Sequence, residues 1–176
     1  SITLKELSTK TSIRFSENLK QDTLILNNCP AEEKQRTRVS HFLNIIRERN
    51  KLNKFAEISS ENNFPTGAGL ASSASGFAAL AFAASKAAGL NLNPFELSEL
   101  ARRGSGSAAR SIFGGFVQMH RGSEKKGTDA FAEQLFDESY WDLRLLVLIT
   151  STKEKEIGST EGMNLTAKSS PFYNNW

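Results

Sequence analysis

Two short stretches combine residue types and spacings suited to holding oxyanions. In Asn62-Asn63-Phe64-Pro65-Thr66-Gly67-Ala68-Gly69-Leu70-Ala71-Ser72-Ser73-Ala74-Ser75-Gly76, a glycine turn runs into a small-residue segment of helical character. Gly67 and Gly69 carry no Cβ, so the backbone can curl there with its N–H groups converging. The helix that opens at Ala71 to Ala74 begins with N–H groups that have no internal partner. Unpaired donors and the positive end of the helix dipole then point at one spot, where the hydroxyls of Ser72 and Ser73 add further donors, a combination suited to phosphate. Spelling excludes two familiar phosphate loops. No Gly-Lys-Ser/Thr ending follows, and Gly67-x-Gly69 has Ser72 where a dinucleotide fingerprint has its third glycine. The same corner also suits a helix start kept small so that another element can pack closely.

The second stretch is Gly104-Ser105-Gly106-Ser107-Ala108-Ala109-Arg110-Ser111. Alternating glycine and serine expose backbone and hydroxyl donors, and Arg110 is near enough in sequence to bring a planar two-pronged donor to the same place. An anion with several oxygens is the natural ligand. The alternative is a Ser-Gly linker between helices, with Arg102, Arg103 and Arg110 solvated. Near the end, Gly158-Ser159-Thr160-Glu161-Gly162-Met163 follows an apolar run, so Ser159 and Thr160 are candidate ligand contacts or simply a helix cap. Cys29, His41 and His120 are too scattered for a metal-ligand cluster, and each lone histidine reads as a surface or packed residue.

These stretches need elements to hold them. Alternation through Ile2-Thr3-Leu4, Ser12-Ile13-Arg14-Phe15 and Thr23-Leu24-Ile25-Leu26, with Asn27-Asn28 as turn material, predicts short antiparallel strands. From Ala31 the period changes to that of a helix, with Val39, Phe42, Leu43 and Ile46 on one face and Arg36, Arg38, Arg47 and Glu48 on the other. Phe55 to Ser59 predicts a strand leading into the glycine corner. The alanine-rich helix after it, with Leu80 and Phe82 among its apolar residues, should be buried on most faces and close at Gly89. Asn93-Pro94-Phe95-Glu96 spells a cap, a first-turn proline and a capping box, opening a helix to Arg103. Phe113 to Met119 reads as a turn into a strand, and Gly122 to Gly127 as a charged loop. Leu143 to Ile149 reads as a strand buried on both faces, followed by a charged loop from Ser151 to Gly158; Trp141 and the other aromatics read as core.

With 176 residues, 39% of them hydrophobic and 23% charged, the chain can bury one sizeable core, and no apolar run approaches the length of a membrane span. The 22 Lys and Arg against 19 Asp and Glu leave +3, which suits a small anion; the scattered basic residues do not imply nucleic acid. One cysteine fits a reducing compartment, and without a signal-peptide pattern the cytoplasm is the default. Opening in mid-pattern without a methionine, the chain reads as one whose preceding sequence is missing.

The spelling Pro65-x-Gly67-x-Gly69-Leu70-x-Ser72-Ser73 resembles the ATP loop of the superfamily of galactokinase, homoserine kinase, mevalonate kinase and phosphomevalonate kinase. The second stretch resembles the Gly-Ser-Gly-Ser-Ala-Cys-Arg-Ser string of the diphosphomevalonate decarboxylases, departing from it at Ala109, where cysteine is usual. Related kinases would place an aspartate at Arg110. The likeness covers most of the chain after about residue 55, through Gly114-Gly115-Phe116-Val117 and Gly158-Ser159-Thr160-x-Gly162-Met163. The resemblance implies an α+β, two-layer fold of that superfamily, with a mixed or antiparallel sheet and packed helices like the second domain of ribosomal protein S5. It divides the chain into an ATP-binding domain over 1–150, lacking its start, and the beginning of a second domain over 151–176. It implies ATP and Mg²⁺ as cofactors, mevalonate diphosphate as substrate, a homodimer, and no nucleic-acid or membrane partner. In the implied reaction the 3-hydroxyl is phosphorylated, then phosphate and CO₂ depart to leave isopentenyl diphosphate. By resemblance Arg110 grips the carboxylate as the catalytic group. Ser105, Gly106 and Ser107 hold the diphosphate with Ser159 and Thr160, and Pro65, Gly67, Gly69, Leu70, Ala71, Ser72 and Ser73 cradle ATP. The family's early Tyr-Trp-Gly-Lys and late Asp-Ala-Gly-Pro-Asn strings have no counterpart, so the chain by itself is expected not to turn over. A mevalonate 3-kinase, a phosphomevalonate decarboxylase, another small-molecule kinase of the superfamily or a non-catalytic anion-binding protein stand as alternatives.

Overall fold

The computed structural model describes residues 3–67, 69–148 and 157–173. Four strands, β1 (Thr9–Ser16), β2 (Thr23–Leu26), β3 (Cys29–Pro30) and β4 (Phe55–Asn62), form one sheet in the order β1-β4-β2-β3. β4 runs antiparallel to β1, with Thr9 opposite Asn62, and parallel to β2, with Leu24 opposite Ile58. The sheet is therefore mixed, and the expected run of antiparallel neighbours gives way at β2. A parallel neighbour needs a long crossover, and the 18-residue helix α1 (Glu33–Asn50) supplies it between β3 and β4. Asn27 and Asn28, both left-handed, make the tight reversal from β2 into β3.

The three helices that the sequence predicts form where local spelling places them. α1 buries Val39, Phe42, Leu43 and Ile46. α2 (Ser72–Ala87) buries Ala74, Phe77, Ala78, Leu80, Ala81 and Ala84, and Gly89 just beyond it is left-handed. α3 (Pro94–Gly104) opens with the Asn93 side chain accepting from the N–H groups of Phe95 and Glu96 while Glu96 reaches back to the Asn93 N–H. A 3₁₀ helix (Gly106–Ile112) follows directly, then the antiparallel pair β5 (Phe116–Met119) and β6 (Ala132–Phe136), and α4 (Ser159–Ser169). The main core lies between the sheet and α1, α2 and α3, where Leu43, Ile46, Ile58 and Leu100 are fully buried. Among the described residues no helix is long and apolar enough to cross a membrane.

Several expectations are corrected. Leu143 to Leu148 forms no strand and is exposed, because a strand exists only through its neighbours and none of the described residues pairs with it. Trp141 and Tyr140 are 62% and 63% exposed rather than core. Phe82 is 54% exposed on the flank of α2, at the edge of a cavity that no described element fills. Arg47, expected on the solvent face of α1, is instead held against Asp22 in a nearly buried ion pair. Thr3 and Leu4 are not in a strand; Ser1, Ile2, Ile149, the loop residues 151–156 and Asn174 to Trp176 lie outside the described residues.

Candidate functional site

The first stretch forms a corner at the start of α2. Positive φ angles at Gly67 (73°), Gly69 (92°) and Ala71 (55°) wind the backbone tightly, and only glycine adopts such angles without cost. Ala71 occupies the cap position of α2 and has no side-chain oxygen, and the first turn holds no acidic residue. The positive end of a 16-residue helix is thus left without a capping side chain or countercharge, beside the exposed Ser73 and the half-buried Ser72, whose Oγ accepts from the Gly67 N–H at 3.2 Å. Pro65 is exposed and Leu70 half-buried at the rim.

A chain of side-chain hydrogen bonds laces this corner to the sheet. Thr66 Oγ1 accepts from the Asn62 amide at 3.1 Å and the Asn27 amide at 3.3 Å. Asn62 in turn accepts from Thr9 Oγ1 at 2.6 Å, and Thr9 shares a 2.6 Å hydroxyl contact with Ser75 of α2. Behind the corner lies a cavity of about 180 Å³ with an apolar floor that includes Val39, Ile58, Phe77 and Leu80 and a polar rim of Arg38, Ser60, Thr66, Ser72 and Ser73. Arg38 reads from the sequence only as one residue of the polar face of α1, with nothing to single it out as a site residue. Its guanidinium lies 4.6 Å over the Phe77 ring and donates to the Gly104 carbonyl at 2.8 Å, and partial desolvation there lowers its pKa from the ordinary arginine value. Asn27 was read only as turn material; nothing in its local spelling signals that β2 and β4 bring it to Thr66.

The second stretch begins where α3 ends. Gly104 lies against the face of α2, so close that a Cβ would stand 2.1 Å from Phe77 Cδ1, and Arg38 spans both. Phe77 lies one turn along α2 from Ser73, so the two stretches are tied at this point. The half-buried Ser105 and Ser107 bring their hydroxyls to 3.5 Å across the exposed Gly106, whose N–H belongs to the unbonded start of the 3₁₀ helix. Arg110 is half-buried on that helix, and among the described residues its guanidinium has neither a hydrogen bond nor an ion pair. A second cavity, of about 450 Å³, flanks the other side of α2; Thr9 and Thr11, Ser75 of the first stretch and Ser111 of the second line it. Ser105, Gly106, Ser107 and Arg110 line neither cavity. Thr160 is exposed in the first turn of α4, which is capped by Gly158, and lines neither of these two cavities; Ser159 begins that helix.

This geometry places two donor-rich bends and an unpaired guanidinium around α2, groups whose chemistry suits polyanions; among the described residues no group of three His, Cys, Asp or Glu is placed to bind a metal ion. Comparison with known proteins bears on the family and the fold. A family model described as the diphosphomevalonate decarboxylase-like N-terminal domain matches residues 1–132. The diphosphomevalonate decarboxylase of Danio rerio is 50% identical over 76 residues, a match covering 43% of this chain and 19% of that protein. A solved mevalonate diphosphate decarboxylase from Enterococcus faecalis, studied for mevalonate diphosphate mediated ATP binding, is 44% identical with a TM-score of 0.80, covering 97% of this chain and 52% of the other. A further solved structure, MDDEF in complex with MVAPP, AMPPCP and magnesium, is 42% identical with a TM-score of 0.84, covering 99% of this chain and 53% of the other. The chain spans about half the length of these solved relatives. The α+β fold with its mixed sheet, the spelling of both bends and the match over most of its length together establish that this chain belongs to the diphosphomevalonate decarboxylase family, through that family's N-terminal domain.

Proposed function

We propose that this chain is the ATP- and acid-binding part of an enzyme that converts mevalonate 5-diphosphate to isopentenyl diphosphate with loss of phosphate and CO₂. The observation that carries the reading is Arg110, a half-buried residue whose guanidinium has no anionic partner among the described residues, one helical turn from the Ser105-Gly106-Ser107 bend. An unpaired guanidinium gains most when a carboxylate meets its two-pronged donor face. In this reading Arg110 holds the substrate carboxylate and the serine-glycine bend holds its diphosphate. The corner at Gly67 to Ser73 accepts the nucleotide phosphates, and ATP supplies the phosphoryl group that turns a tertiary hydroxyl into a leaving group. Departure of that phosphate develops positive charge on carbon, so fixing the neighbouring carboxylate in line for C–C cleavage is the main task left to the protein.

The corner fits the phosphates because the start of α2 is uncapped and carries no acid. Mg²⁺ would be held mainly by phosphate oxygens, as is usual for this ion, with the hydroxyls of Ser72 and Ser73 alongside. Arg38, at the rim of the smaller cavity, adds a cation on the nucleotide side. Ser159 and Thr160 would assist the diphosphate only if α4 is carried to the second bend. We further place residues 1–150 in the ATP-binding domain and 151–176 in a second one, and the working protein in the cytoplasm as a homodimer, all on the family resemblance.

The test is turnover by the longer protein that contains this chain, offered mevalonate, its 5-phosphate and its 5-diphosphate with ATP and Mg²⁺. CO₂ release from the diphosphate is expected, with Arg110→Ala lowering kcat/KM by about 10²- to 10³-fold, as for loss of a charge-stabilising donor. Preference for the monophosphate, or phosphorylation of mevalonate without CO₂, would move the assignment to those activities. The 176-residue chain alone is expected to release none.

A further inference from the structure

We infer that Ser98 is a positioning residue for Arg110, its buried hydroxyl fixing the peptide unit from which the Arg110 side chain departs. The inference rests on Arg110 being the carboxylate-binding group. Ser98 lies on α3 with no exposed surface. Its Oγ donates to the Ala109 carbonyl at 3.0 Å and accepts from the Ala132 N–H at 2.8 Å, so one hydroxyl joins α3, the 3₁₀ helix and β6. Ala109 and Ala132 are themselves fully buried in the same small cluster with Val117.

The Ala109 carbonyl and the Arg110 N–H share one rigid plane. Pinning that carbonyl sets the direction of the Arg110 N–Cα bond and therefore of the long side chain beyond it. A 3₁₀ helix has poorer internal hydrogen bonds than an α-helix and needs such outside support to hold one shape. A serine hydroxyl suits the position because it can give and receive one hydrogen bond at once in little space. Removing it leaves a buried carbonyl and a buried N–H short of a partner, and the plane is free to turn toward a substitute.

The experiment uses the longer protein containing this chain. For Ser98→Ala, KM for mevalonate 5-diphosphate is expected to rise about tenfold while KM for ATP stays within about twofold, since a misplaced Arg110 affects the acid and not the nucleotide. Calorimetric titration of mevalonate 5-diphosphate then completes a cycle: in an Arg110→Ala background, Ser98→Ala should weaken binding no further. Ser98→Ala is expected to lower the melting temperature under either role; a merely structural serine would in addition leave both KM values unchanged or shift them equally, or weaken binding by the same factor in either background, and either of these results overturns the inference. Should Ser98→Ala fail to fold, Ser98→Cys, which keeps the volume but bonds weakly, is read by the same criteria, and Ser98→Thr, which keeps the hydroxyl, should retain the wild-type KM if it folds. If the unaltered protein releases no CO₂ from mevalonate diphosphate, the functional reading has failed instead.

Discussion

Gly104 shows how far one residue's meaning depends on its surroundings. Helix propensity favours alanine over glycine by about 1 kcal/mol, so Gly104→Ala would stabilise an isolated α3. In the folded chain the added Cβ would stand 2.1 Å from the Phe77 ring, which itself meets Phe42 edge-to-face and is covered by Arg38. Overpacking of this kind costs about 1–3 kcal/mol, and urea denaturation of Gly104→Ala should show a net loss of stability. A gain would mean that Phe77 moves aside freely. Gly115 is more constrained: its φ is +63° and a Cβ would meet the Phe136 carbonyl at 2.3 Å. Gly104 was legible in the spelling as a helix stop, but its role as the contact between the two bends was not. That contact joins residues 27 positions apart in the chain, and no local pattern encodes it.

At the scale of elements, α3 was legible because its start is a local event. The Asn93 and Glu96 side chains satisfy N–H groups within three residues of themselves. Asn93→Ala should cost about 1 kcal/mol, read as a lowered midpoint in thermal or urea unfolding. The loop from Ser123 to Asp129 is held in a comparable way. Asp129 accepts from the backbone N–H groups of Ser123 and Glu124 and from the Ser123 hydroxyl, with the Ser123 backbone bond contributing most to lowering its pKa below the usual 3.8. A carboxylate with a depressed folded pKa supports its loop above the unfolded pKa, and that support is lost as pH falls through the lower folded value. Protection of the Ser123 and Glu124 amides, measured as exchange relative to the intrinsic rate at each pH, should therefore fall below about pH 3.8, and Asp129→Asn should show the lower protection at every pH. The segment Leu143 to Leu148 is the counter-case. Its spelling is that of a strand, yet pairing is not a property of the segment, and among the described residues it has no partner.

For the molecule as a whole, Asp22 is the joint between β2, α1 and β4. Its carboxylate, 3% exposed, accepts from the Ala56 N–H at 2.8 Å and from Arg47, while Arg47 Nε donates to the Lys54 carbonyl at 2.9 Å. Breaking a buried pair by removing one partner strands the other charge, so Arg47→Ala should destabilise by about 3 kcal/mol or more, measured by chemical denaturation; a loss below about 1 kcal/mol would show water reaching Asp22 without cost. The amino-acid sequence by itself determined α1, α2 and α3, the cap of α3, the apolar face of α1 and the spelling of the two glycine-serine bends, because each is written in residues within a turn or two of one another. It also carried the family likeness, since the bends are contiguous strings. Only the tertiary structure decided that β4 enters between β1 and β2, that Arg38 and Gly104 meet across Phe77, that the Ser98 hydroxyl bonds the Ala109 carbonyl, and that cavities open on both flanks of α2. Those outcomes are set by which distant surfaces pack together, and a chain read in order carries no record of that.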